Sequence, residues 1–484
     1  MKWKPCEQAL ALSYAIIRLR CWCRSTAASL KTYTTALTRR LLMNIHGQTA
    51  AEIFESVRML VLTRQLHAGM ALPPVRELAN TLGVNRNTVA TAYRRLATAG
   101  VATTQRRRGT IIRALPSAGE QEGARAGTAL IDLADGNPNA AWLPDPGAVW
   151  QGRPCPARLY GAPLINPALA RYITQWCAPD CPPGLKVDLS HGAVDAIERL
   201  LAAYLRPGDK VAVEDPCFLN SINLLRNAGL QALGVPVDAQ GMSAEALQNA
   251  CRSGAQAVIL TPRAHNPTGC SLTAQRAKAL MRVLEQHPHV LIIIDDHFAL
   301  LSGQPYHGVI PPNARRWSLV RSFSKALGPD VRVAALASDA ATSQQLRARM
   351  GPGSQWVSHF LQDTVELLLQ RAETARQVRQ AGSDYLQRRR RLEQALLSEG
   401  LHPWLGGDGL NLWLPVTGDD RQVALSMAQQ GWLLRHGEVF SVQKKTPGLR
   451  ITLSTLEGPA MRRLARDLRV SLGPDGTATL VAPA

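Results

Sequence analysis

Five short, predominantly apolar runs recur along the middle of the chain, at residues 211–213, 257–260, 290–294, 318–320 and 332–337, with helix-like stretches between them. A strand that is apolar at every position buries both of its faces, so helices must cover both sides of one parallel sheet. This pattern predicts an α/β body over residues 131–484. From about residue 375 it gives way to a long Arg/Gln-rich helix. The runs 410–414 and 449–453 that follow alternate, which indicates a smaller C-terminal α+β lobe. At 484 residues the chain is long enough for more than one domain. No apolar run approaches the ~18 residues that a membrane-spanning helix needs, so no membrane partner is expected.

Charge divides the chain a second way. The formal total is +19, and residues 1–42 and 43–115 each carry +7, leaving a nearly neutral remainder. A basic front module points to a polyanionic partner. Residues 1–42 are poor in acid and rich in Arg and Ser/Thr, like a transit peptide; the simpler reading is a start placed too early, with Met43 the true beginning. Residues 116–130 are small and polar and read as a linker. The nine cysteines are scattered, and Cys177 and Cys181 have no second pair at zinc spacing. No metal site and no secretory signal are expected, and a reduced, cytoplasmic protein is the default.

Three helices fit residues 48–99. Ile53, Val57, Leu60 and Val61 line one face of the first; Val75, Leu78, Ala79 and Leu82 follow helical spacing in the second. Gly83 forms the turn, and the third helix buries Val89, Tyr93 and Leu96. That leaves Asn85, Arg86, Asn87, Thr88, Thr91 and Arg95 for an exposed side. Hydrogen-bonding residues at the start of the second helix of a helix-turn-helix reach base edges in the major groove. Residues 101–112 read as a hairpin tipped by Arg106, Arg107 and Arg108, suited to phosphates or a minor groove. The segments LPPVRELA (72–79), LGVNRNTV (82–89), AYRRL (92–96) and GTI (109–111) closely resemble the winged helix-turn-helix domain of GntR regulators. The resemblance adds Arg76, in the first of these motifs, to the DNA-binding set and implies a double-stranded DNA partner.

The most informative stretch of the body is SFSKALGPDVR at 322–332. A lysine forms a Schiff base with an aldehyde, and pyridoxal 5'-phosphate also needs phosphate donors nearby. Ser322 and Ser324 flank Lys325, and Arg332 supplies a fixed cation. Asp295 ends an apolar strand, where ligands bind in such sheets, and suits a pyridinium nitrogen. Asn266 in HNPTG (265–269) is placed to donate to the ring's phenolic oxygen. Gly192, Ala193 and Val194 open a helix whose N–H groups suit a phosphate. Phe218 can stack on the ring, and Arg450 can clamp a carboxylate. Each also has a plain reading: Asp295 as a helix cap, Asn266 in a turn, Phe218 as core, Arg450 paired with an acid.

In this order the residues resemble fold-type I pyridoxal-phosphate enzymes of the aspartate aminotransferase superfamily over about 131–460. The resemblance implies that Lys325 holds the cofactor as an aldimine and Arg450 takes a substrate-like carboxylate. Tyr160 would reach the phosphate of a partner subunit, so that a homodimer completes the site. A GntR-type winged helix fused to such a body is the layout of the MocR subfamily, and the branch connected with vitamin B6 metabolism is the most similar. The chain departs from the enzymes at His297, where they carry tyrosine, at Cys217-Phe218 in place of Gly-Tyr, and at Ile165 in place of glycine. A lost phenol weakens catalytic tuning. The expectation is therefore a regulator that senses pyridoxal phosphate, or its aldimine with an amino compound, with weak or no transaminase activity. A working aminotransferase is the alternative.

Overall fold

The computed structural model of the chain describes residues 44–99, 101–105, 109–112, 121–123 and 127–473. The expectations for residues 1–42 and for Arg106, Arg107 and Arg108 lie outside these residues, as does much of the segment 116–130. Two compact units are present, Met1–Ser117 and Ala118–Ala484.

In the first unit, α1 (Ala50–Leu62), α2 (Val75–Leu82) and α3 (Arg86–Thr98) precede a hairpin of β1 (Ala102–Gln105) and β2 (Gly109–Ile112). A capping box starts α1: the Thr49 hydroxyl accepts from the Glu52 N–H, and the Glu52 carboxylate accepts from the Thr49 N–H. Gly83, at φ +67°, ends α2 in the left-handed region that favours glycine. Asn85 then caps α3 by accepting from the Asn87 N–H at 2.8 Å. Ile53, Val57, Leu78, Val89 and Leu96 are fully buried together. The Tyr93 hydroxyl donates to the Pro73 carbonyl at 2.7 Å, tying α3 to the segment before α2. One strand-like contact was not legible in the sequence: Ile112 N–H donates to Met70 O and Leu72 N–H to Thr110 O, so residues 70–72 line the free edge of β2.

The second unit opens with β3 (Ile131–Asp132) and is built on an eight-stranded sheet. Its strands are β4 (Lys186–Ser190), β5 (Lys210–Asp215), β6 (Gln231–Asp238), β7 (Gly241–Met242), β8 (Ala255–Leu260), β9 (Leu291–Asp295), β10 (Trp317–Ser322) and β11 (Ala334–Ser338). They lie in the order β4-β11-β10-β9-β8-β5-β6-β7. The apolar runs are buried on both faces, as their composition requires. Leu291 and Ile293 join one core with Val211, Ala257 and Ile259, whereas Ile292 and Ile294 join the opposite core with Ala212, Val258 and Leu260.

The expectation of parallel strands needs one correction. The run 332–337 becomes β11, which pairs antiparallel with both β10 and β4. A parallel partner requires a crossover long enough to span the sheet. The connection from β10 instead forms the helix Ser324–Leu327 and a single 3-10 turn, and leads straight back. Strands β4, β5, β8, β9 and β10 still run the same way, so their carboxyl ends meet along one edge.

The C-terminal lobe contains β12 (Asn411–Pro415), β13 (Trp432–Leu433), β14 (Arg435–His436) and β15 (Gly448–Thr452). An antiparallel sheet orders them β12-β15-β14, while β13 pairs parallel with β3. The alternation expected of 410–414 and 449–453 is not seen in burial, because β12 is buried at four of five positions and β15 at all five. One face packs on the helices Ala372–Ser398 and Gly458–Leu472 through Leu392, Leu396, Leu464 and Leu468. Arg450 and Trp413 occupy the other. Among the described residues no helix is long and apolar enough to cross a membrane, and no His/Cys/Asp/Glu group is arranged to hold a metal ion.

Candidate functional site

The shared carboxyl edge of the parallel strands surrounds a cleft of about 190 Å³. Each strand delivers one part of it. The turn after β4 contributes Ala193 and Val194, that after β5 Phe218, that after β8 Asn266, the end of β9 Asp295 and His297, and β10 with its turn Ser322, Ser324, Lys325 and Arg332. Residues far apart in sequence thus converge because their strands are parallel neighbours.

Lys325 stands on the short helix after β10, and its Nζ donates to the Gly136 carbonyl at 2.7 Å. Burial lowers its pKa below that of an ordinary lysine. Asp295 is buried, and among the described residues its Oδ1 has no hydrogen-bond partner. Burial, helped by the Glu214 and Asp296 carboxylates, pushes Asp295 up to about 7. His297 Nδ1 lies 3.7 Å from Asp295 Oδ1, but burial and the neighbouring Lys325 ammonium push the imidazole down to about 4. It is therefore neutral and does not compensate the carboxylate. Among the described residues Asp295 caps no helix, so the plain reading of it is set aside. The next residue, Asp296, points to the other side of the strand, where Arg263 and Arg321 pair with it at 2.8 and 2.9 Å. Two adjacent carboxylates thus have opposite roles, one satisfied in the core and one left open to the cleft.

At the start of the helix Ala193–Tyr204, Gly192 has φ +101°, and a Cβ there would lie 3.1 Å from the Arg332 guanidinium. Arg332 Nη2 donates to the His191 carbonyl at 2.9 Å. The helix Ala193–Tyr204 is preceded by Gly192, and among the described residues no side chain caps its first N–H groups. Ser322 Oγ accepts from the Ser324 N–H at 3.2 Å, which orients the hydroxyl. A dianion acceptor, a buried carboxylate without a partner and an amine of lowered pKa form a donor set that fits pyridoxal 5'-phosphate.

Tyr160 is 91% exposed, stands edge-on to Trp356, and is not among the residues that line the cleft of its own chain. Arg450 is fully buried and does pair with an acid: its Nη1 lies 2.5 Å from Oε1 of Glu122. Glu122 belongs to the segment read as a linker, and no periodic or motif signal marked it. The sequence reading also left Glu214 and His265 without roles. Glu214 accepts from the Thr261 N–H and hydroxyl at 2.9 and 3.0 Å and stands 3.3 Å from His265 Nε2. Burial opposes a charge on His265, but the Glu214 carboxylate outweighs it and holds the imidazole up at about 10.

On the first unit, Arg76, Asn85, Arg86, Asn87 and Arg95 are exposed and Thr88 is half-buried. Among the described residues, Arg76, Arg86 and Arg95 have no carboxylate partner, in contrast to Arg58, which pairs with Glu55. The start of α3 therefore presents free donors to solvent.

A winged helix-turn-helix and a fold-type I aminotransferase body in one chain define a class of transcriptional regulator. Residues 49–112 match the bacterial regulatory proteins of the gntR family, and residues 157–468 match aminotransferase class I and II. The vitamin B6 salvage pathway transcriptional repressor PtsJ of Salmonella typhimurium is 49% identical over 88% of this chain and 99% of its own length. The probable rhizopine catabolism regulatory protein MocR of Rhizobium meliloti is 25% identical over 58% of this chain and 64% of its own. The α-aminoadipate aminotransferase LysN of Thermus thermophilus, solved with N-(5'-phosphopyridoxyl)-L-leucine, shares the fold at a TM-score of 0.63 and 20% identity, over 71% of this chain and 93% of that one. The chain belongs to the GntR-type, MocR-like transcriptional regulators that carry an aminotransferase class I and II domain.

Proposed function

We propose that this regulator binds double-stranded DNA through its winged helix and senses pyridoxal 5'-phosphate in the cleft, controlling vitamin B6 metabolism in the cytoplasm. One observation carries the reading: among the described residues Asp295 Oδ1 is buried without a partner, in the same cleft as Lys325 and Arg332. A pyridinium N–H is the donor such an oxygen lacks. When bound, the cofactor supplies an aldehyde carbon open to reversible attack by a primary amine.

The residues assigned to it are Lys325 for the aldehyde, Asp295 for the ring nitrogen, Asn266 and His297 beside the phenolic oxygen, and Phe218 against the ring. Gly192, Ala193, Val194, Ser322, Ser324 and Arg332 take the phosphate. Exposed Tyr160 is assigned to the phosphate of a second copy, which makes the working form a homodimer. On DNA, Asn85, Arg86, Asn87, Thr88 and Arg95 read the groove, while Arg76 and the wing residues Arg106, Arg107 and Arg108 meet phosphates. The link to vitamin B6 draws on the 49%-identical relative, named for that salvage pathway.

The test is an absorption spectrum of the purified protein with added pyridoxal phosphate, before and after borohydride. A visible band that borohydride bleaches and fixes is expected, with the label on Lys325. An identical band and label in Lys325→Ala would overturn the assignment.

A further inference from the structure

Glu122 sits where a ligand's carboxylate would be recognised. Its Oε1 lies 2.5 Å from Arg450 Nη1 and accepts from Asn266 Nδ2 at 3.2 Å, while Asn266 Oδ1 accepts from the same Nη1 at 3.0 Å. The second Arg450 terminal nitrogen is committed to the Ala134 carbonyl. The backbone on each side of Glu122 is pinned: Arg435 Nη2 donates to Gln121 O and the Gly123 N–H to Asp135 O, both at 2.9 Å. Glu122 Oε2 is buried, has no partner among the described residues, and would lie 3.0 Å from a Cβ at Gly136, the residue whose carbonyl holds Lys325. The side chain is therefore anchored in the cleft by Arg450 and Asn266 through one carboxyl oxygen.

We propose that Glu122 is a built-in substitute for a ligand carboxylate, which restricts the cleft to pyridoxal phosphate without an α-amino acid. The inference rests on the cofactor reading above. A second carboxylate entering beside Glu122 would meet like charge in a buried setting and find Arg450 already engaged. It can bind only when Glu122 has swung out. Minor conformers of this kind are populated at ~0.1–10%, so a competing carboxylate binds about a hundredfold more weakly than to an open clamp. A carboxylate-free amine makes no demand on Arg450 and is unaffected. The aldehyde phosphate alone is then the signal, although the fold retains the parts for amino acids.

The test compares wild type, Glu122→Ala and Glu122→Gln loaded with pyridoxal phosphate, titrating the visible band with L-alanine and with ethylamine. Expected is a half-saturating L-alanine concentration about a hundredfold lower in Glu122→Ala, an intermediate value in Glu122→Gln, and no change for ethylamine. An unchanged ratio of the two ligands across the proteins overturns the proposal. If Glu122→Ala does not fold, the Gln variant decides by the same ratio. A parallel arm uses no cofactor: propionate should raise the melting temperature of ligand-free Glu122→Ala and leave wild type unmoved, and equal shifts refute it. Failure of the cofactor reading looks different, because then no visible band forms in any of the proteins.

Discussion

Replacing Asp295 by asparagine removes a charge that the ligand-free fold holds at a disadvantage. The carboxyl titrates near 7 in the fold, against an ordinary 3.8, because it is buried beside the Glu214 and Asp296 carboxylates. The difference of about 3 corresponds to roughly 4 kcal/mol. The sign follows from which state ionises first. Below pH ~4 both states are protonated, and Asp295 costs nothing relative to asparagine. Between ~4 and ~7 the unfolded chain ionises and the native state does not, so wild-type stability falls; above ~7 the full loss is reached and stays constant. Across pH 5.5 to 8.5 the variant should gain about 2 kcal/mol on wild type. His265, held protonated up to about 10, and His297, kept neutral down to about 4, do not change charge in that window. Urea unfolding of both ligand-free proteins, followed by circular dichroism at several pH values, measures the difference. Any penalty for burying the amide is independent of pH and cancels from the slope. A difference that stays flat with pH would refute the claim that a partnerless carboxylate marks this cleft. The same substitution should weaken pyridoxal phosphate binding, since the oxygen that meets the ring nitrogen has been neutralised.

Two further outcomes follow from the geometry. Gly192→Ala places a side chain at φ +101° and within 3.1 Å of the Arg332 guanidinium; the strain is about 1–3 kcal/mol, and equilibrium dialysis should show pyridoxal phosphate affinity falling at least tenfold. Arg86→Ala with Arg95→Ala should weaken specific operator binding by about 1–3 kcal/mol per base-contacting arginine, read in mobility shifts against a scrambled duplex; equal retention of both duplexes counts against α3 as the reading helix.

Much of this protein was legible locally. Gly83 after an amphipathic turn and Asn85 ahead of α3 mark a helix-turn-helix because capping and left-handed turns are decided within a few residues. The runs 257–260 and 290–294 marked doubly covered strands, since no surface strand tolerates apolar side chains on both faces. Lys325, Asp295 and Arg332 stood out through residue type and position after such strands. The direction of β11 did not, because it depends on how the 11 residues between β10 and β11 are spent. Nor did the docking of residues 70–72 on β2, which involves backbone atoms alone.

What the sequence determined by itself was the inventory: a basic winged helix, a two-faced sheet, and a lysine with its supporting donors, all encoded by short-range patterns of polarity and turn residues. Only the tertiary structure decided the state of each group. Asp295 and Asp296 are chemically identical neighbours, yet one is neutralised by two arginines and the other is left bare, because successive side chains of a strand face opposite sides. Glu122 lies in a stretch with no pattern at all, and its significance comes entirely from a contact with Arg450, 328 positions away. Electrostatic pairing depends on distance in space, and local sequence does not specify that distance.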